Sequence, residues 1–92
     1  MAVRRWLSAN CFGDYYVRGG LTLAERELVT FCYLAAQGDT AGQMSAHAAG
    51  NFNMGNNETV LIAACLQFAP ILGYPRTLNA LAAVEKAAPP TK

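Results

Sequence analysis

Thr22-LAERELVTFCYLAAQGDTAGQMSAHAA-Gly50 is the stretch whose reading decides the fold. Thr22-Leu23-Ala24-Glu25 opens it as a capping box, in which Thr22 accepts from the Glu25 backbone N–H and the Glu25 side chain accepts in return. The pattern predicts a helix from there to about Ala36, a tight turn at Gln37-Gly38-Asp39, and a second helix capped by Asp39 or Thr40. That second helix runs to about Met54 and stops at Gly55. Glu27 stands 11 residues before Gly38, and His47, the chain's single histidine, 9 after it. At about 1.5 Å of rise per residue they reach depths of about 16 and about 14 Å in an antiparallel hairpin, a mismatch smaller than one helical turn. The helical neighbours of Glu27 are Leu23, Phe31 and Leu34, an apolar stripe on which a carboxylate must find a partner or hold a proton. A carboxylate facing an imidazole in an apolar layer has the chemistry of a proton-handling pair, so Glu27 and His47 are the candidate catalytic residues. The plainer reading, a paired but purely structural buried His and Glu, competes with it. The His47 face also carries Thr40, Gln43, Met44, Gly50, Asn51 and Met54, of which Thr40 and Gln43 are candidate substrate contacts. The small residues Ala46, Ala48, Ala49 and Gly50 let another helix come close.

Upstream, Val3 to Cys11 reads as a short helix anchored by Trp6 and Leu7, and Gly19-Gly20 marks a turn before the hairpin. Arg18 is either a solvated loop arginine or an anion clamp at the mouth of the Glu27–His47 layer. Downstream, Asn57 is the expected N-cap of a third hairpin-flanking helix, with Glu58 in its first turn, where the helix dipole favours an acid. Thr59 to Leu72 is apolar nearly all round, which predicts a central helix covered on both sides. Gln67 is its lone polar side chain and another candidate substrate contact. Pro70 is expected to distort or end its last turn. Gly73 ends it, and Pro75 starts a last helix to about Ala87, carrying Leu78, Leu81, Ala82 and Val84. Residues 88–92 form a tail. No run alternates as a strand does, and no repeat appears. The expectation is one all-α domain over 1–92, with its core at about 10–87 and about five helices around a central antiparallel helical hairpin.

Composition bears on assembly and compartment. Only 14% of the 92 residues are charged against 53% hydrophobic, where about 25% charged is usual. A small domain has much surface and should show more charge, so either other subunits cover the surface or a membrane does. The longest apolar run, Val60 to Leu72, is broken by Gln67 and Pro70 and is too short to span a bilayer. Arg4-Arg5 lacks the apolar core of a signal peptide behind it. A homo-oligomer without a membrane is therefore expected. A net charge of +1 with no basic stripe argues against nucleic acid as a partner. The three cysteines, Cys11, Cys32 and Cys65, are an odd number with no C-x-x-C and no zinc spacing, so no metal site is expected. Cys32 and Cys65 lie in apolar helical runs and read as inert buried thiols of a cytoplasmic protein.

Phe12-Gly-Asp-Tyr-Tyr-Val-Arg-Gly-Gly-Leu21 followed by Glu25-Arg-Glu-Leu-Val-Thr30 resembles the start of the carboxymuconolactone decarboxylase family. His47-Ala-Ala-Gly-Asn-Phe-Asn-Met-Gly55 and Gly73-Tyr-Pro-Arg-Thr-Leu-Asn-Ala80 resemble later parts of it, in the same order. The resemblance spans roughly residues 10 to 87. It implies an all-helical, alkylhydroperoxidase D-like (AhpD-like) fold that assembles as trimers or hexamers with sites near subunit contacts. It also implies a longer N-terminal segment in typical members. One branch of that family decarboxylates γ-carboxymuconolactone without a cofactor. The other, grouped with peroxiredoxin-like proteins, reduces peroxides or a partner's disulfide through a Glu, C-x-x-C and His relay. Glu27 and His47 match the relay's acid and imidazole, but Thr40 and Gln43 stand where the two cysteines would. Gln67 stands where the decarboxylase branch commonly has a histidine, and that branch generally lacks a glutamate at the position of Glu27. The resemblance therefore implies first a cofactor-free lyase or isomerase acting on a small carboxylated or lactone substrate. A non-catalytic helical oligomer keeping the fold is the alternative. A thiol peroxidase comes last, for want of the dithiol.

Overall fold

A computed structural model describes residues 20–89 of the chain. Among them are four helices and no strand: α1 (Leu23–Gln37), α2 (Ala41–Asn53), α3 (Glu58–Leu72) and α4 (Tyr74–Ala87). The all-α expectation holds over these residues. The helix expected at Val3–Cys11 and the loop bearing Arg18 lie outside them.

The local chemistry that starts and stops each helix is visible in the hydrogen bonds. Thr22 Oγ1 accepts from the Glu25 backbone N–H at 3.1 Å, and Glu25 Oε1 accepts from the Thr22 N–H at 2.8 Å, completing the capping box. At the other end of α1, Gly38 takes φ +78°, a conformation that a side chain would strain. The Arg76 guanidinium of α4 also lies against this glycine, where a Cβ would sit 2.9 Å from Nε. Thr40 occupies the N-cap position of α2 but does not cap it through its side chain. Its hydroxyl donates instead to the Leu34 carbonyl at 2.6 Å, a second bond to an acceptor in the last turn of α1 that also takes the Gly38 N–H at 3.4 Å. Asn57 caps α3 as expected, its Oδ1 accepting from the Val60 N–H at 3.0 Å. Pro70 does not end α3 where it stands: the helix continues to Leu72, and Gly73 closes it with an N–H bond to the Ala69 carbonyl. So close to the C-terminus, a missing donor removes little of the ladder.

α1 and α2 form the antiparallel hairpin, and α4 packs against α2, α3 and α1. The core draws on all four helices: Phe31 and Ala35, Met44 and Ala48, Leu61 and Cys65, then Ala80, Ala83 and Val84. The centre of the bundle is therefore α4, not the expected Thr59–Leu72 segment. The stripe that α4 buries is made of Thr77, Ala80, Ala83 and Val84, small side chains that let helices approach closely from several sides. α3 turns only Leu61 and Cys65 fully inward. Leu66 is 65% and Ile71 83% exposed on α3, and Tyr74 and Leu78 are exposed on α4. Gln67 is exposed on α3, where water can satisfy its amide.

Candidate functional site

Glu27 projects from the inner face of α1 and is almost wholly buried. His47 comes from α2 at the matching level, and its side chain is 22% exposed. The imidazole Nδ1 lies 2.8 Å from Glu27 Oε1 and 3.1 Å from Oε2. A carboxylate only accepts, so Nδ1 carries the hydrogen and donates it to Glu27, which leaves the lone pair of the neutral ring on Nε2. Nε2 has no hydrogen-bond partner among the described residues. The contact that the depth argument from the hairpin made possible is thus present.

Two features hold the carboxylate there. The first is Gly50, one residue short of a full turn beyond His47. A Cβ at this position would overlap Glu27 Oε1 and come within 3.1 Å of Cδ. The glycine lies opposite a carboxylate that occupies the space a side chain would need. The second is an amide chain between α1 and α2. Asn51 is fully buried. Its Nδ2 donates to the Glu27 carbonyl at 3.0 Å and to the His47 carbonyl at 2.7 Å. Asn56 Nδ2 donates to Asn51 Oδ1 at 2.8 Å and to the Ala24 carbonyl at 2.8 Å.

The pair borders a cavity of about 350 Å³ lined by Leu23, Glu27, Ala46, His47, Gly50, Asn53 and Met54. Most of that wall is apolar, with Asn53 adding one uncharged polar group. Thr40, Gln43 and Gln67 are not part of it. The Thr40 hydroxyl is engaged with α1, Gln43 is exposed in the first turn of α2, and Gln67 faces solvent from α3. Asn51 and Asn56 escaped the sequence reading as a unit. The available signal was Asn51 itself, four residues after His47 and so on the same helical face, where a buried amide must be satisfied.

Cys32 and Cys65 are free, the first half-buried and the second buried. Burial pushes the Cys65 thiol up to about 11, with the neighbouring Cys32 adding to the rise, and burial raises Cys32 as well. A thiol held protonated is a poor nucleophile. Among the described residues no three His, Cys, Asp or Glu side chains converge as a metal site, and no helix is long and apolar enough to cross a membrane.

A search of curated proteins returns no match. A family model does match, that of the carboxymuconolactone decarboxylase family, over residues 2–86. With nearly the whole sequence covered and four helices with no strand among the described residues, the chain belongs to the carboxymuconolactone decarboxylase family.

Proposed function

We propose that this chain is a cofactor-free lyase or isomerase that acts on a small carboxylated or lactone substrate, and that it works as a homo-oligomer. One observation carries the catalytic part: His47 Nδ1 is bound by Glu27, Nε2 has no partner among the described residues, and His47 lines a cavity of about 350 Å³. In this arrangement Nε2 is the proton-handling atom. It removes a proton from a carbon acidified by an adjacent carbonyl, and the Glu27 carboxylate stabilises the imidazolium so formed. For decarboxylation the C–CO₂ bond breaks and its electron pair passes into the conjugated carbonyl. Before that cleavage Nε2 takes up the proton of the substrate's own carboxyl group; Nε2–H then returns it to the enolate carbon, which regenerates the carbonyl compound and leaves Nε2 as the free base. The apolar wall of Leu23, Ala46 and Met54 favours that step, because a carboxylate loses hydration there and its charge disperses as CO₂ departs. Substrate contacts fall to the cavity wall, with Asn53 as its uncharged polar group, rather than to Thr40, Gln43 and Gln67.

The test is a panel of small carboxylated lactones and β-keto acids, γ-carboxymuconolactone among them, followed by NMR for CO₂ loss or isomerisation. Wild-type turnover that falls by about 10²–10⁴-fold in His47→Gln is the expected result. Turnover equal in wild type and His47→Gln, or none on any member, would sink the catalytic reading and leave the family fold as a binding or accessory module. Missing dithiol positions at Thr40 and Gln43 favour that second reading over peroxide reduction.

A further inference from the structure

We propose that Asn51 and Asn56 are positioning residues for the Glu27–His47 pair, a two-amide clamp that sets the level of α1 against α2 and thereby the tautomer of His47. The catalytic consequence rests on the acid–base reading of that pair; the positional one does not.

The clamp engages the same two residues whose side chains meet. Asn51 Nδ2 has two hydrogens, and they go to the backbone carbonyls of Glu27 and His47. One side chain thus bridges the two helices at the level of the Glu27–His47 contact. A helix carbonyl that already accepts within its own helix has a second lone pair for such a bond. The amide orientation is fixed by its surroundings. Asn51 faces two acceptors, the carbonyls, and one donor, Asn56 Nδ2. Only one of the two flips of the amide satisfies all three. Asn56 supplies that donor and spends its other hydrogen on Ala24, one turn before Glu27 on α1. The Asn56 backbone N–H also donates to the Asn51 carbonyl at 2.9 Å, tying the turn after α2 back to its last helical turn. The chain of bonds therefore runs from Ala24 through Asn56 and Asn51 to Glu27 and His47.

The alternative, a buried amide that only stabilises the hairpin, makes a different prediction. A purely structural clamp could be loosened with a loss of stability and no change at the imidazole. A positioning clamp cannot, because the carboxylate has little freedom. It lies against Gly50, in the space a Cβ would need, and a small slide of α1 along α2 moves the carboxylate off Nδ1.

Asn56→Ala is the informative variant. It removes the donor that orients Asn51 but leaves Asn51 in place, at a half-buried turn position. Folding is checked by circular dichroism and a cooperative melt. The ring ¹⁵N shifts of the single histidine then report its tautomer. Wild type should show Nδ1 protonated in the neutral ring, and folded Asn56→Ala should shift toward the Nε2–H form. Where wild type turns over a substrate, kcat should fall roughly 10–100-fold with KM little changed. A folded Asn56→Ala with the wild-type tautomer overturns the proposal. Should that variant not fold, wild type alone decides. Hydrogen exchange of the Asn51 side-chain amide should be slow like that of helix backbone, while that of exposed Asn79 is fast. Equal rates for the two overturn the proposal. Absence of turnover in wild type would remove the catalytic reading and leave the tautomer and exchange results to decide this one.

Discussion

At Gly50 two local preferences conflict. A glycine inside a helix is less favourable than alanine by about 1 kcal/mol, so Gly50→Ala should help α2. The new methyl would nevertheless overlap Glu27 Oε1. The expected outcome is a folded protein whose carboxylate has moved away from His47 Nδ1, read by the ring ¹⁵N shifts. A retained Nδ1–H tautomer in Gly50→Ala would show that the carboxylate has room elsewhere. Cys65 gives a pH prediction of known sign. Its folded value is raised to about 11 from 9.0, so the folded state holds the thiol proton after the unfolded chain has lost it. The stability it contributes is complete below about 9 and is lost as pH rises toward 11. Urea midpoints measured across that range should fall more steeply in wild type than in Cys65→Ala. Parallel slopes would mean that the thiol does not contribute.

Among elements, the hairpin was legible in the sequence because its signals are local. Thr22 and Glu25 start α1, Gly38 stops it, and counting residues from that turn placed Glu27 opposite His47. The ordering of α3 and α4 was not legible. Hydrophobicity along Val60–Leu72 measures how much a helix could bury, whereas position in the bundle depends on how closely its neighbours can approach. The Ala80 and Ala83 stripe of α4 answers that question through small size, and a hydropathy pattern gives it little weight. Thr40 and Gln43 were drawn to the site by sharing a face with His47. Over nearly two helical turns that face extends beyond the cavity, and the Thr40 hydroxyl had a nearer acceptor at the end of α1. Ala80 offers a direct check on the packing. It is fully buried on α4, so Ala80→Leu should force the helices apart and destabilise the fold by about 1–3 kcal/mol or more, measured by urea unfolding. A neutral result would mean that α4 is less tightly enclosed than its burial shows.

For the whole molecule, the charge-poor composition and the exposed apolar side chains of Leu66, Ile71, Tyr74 and Leu78 support assembly with further copies of the chain. Light scattering coupled to size exclusion should report a homo-oligomer, a trimer or hexamer by family resemblance, and Leu66→Glu with Ile71→Glu should shift it toward smaller species. A wild-type monomer at micromolar concentration would contradict the expectation. The outward face of α3 then has a consequence in mass action. If subunit contacts supply the cover that Leu66 and Ile71 lack in the single chain, part of the folding free energy belongs to association. The melting temperature should climb with protein concentration, and the double glutamate variant should lose that dependence. Dilution alone would then weaken the α1–α2 frame that holds the pair.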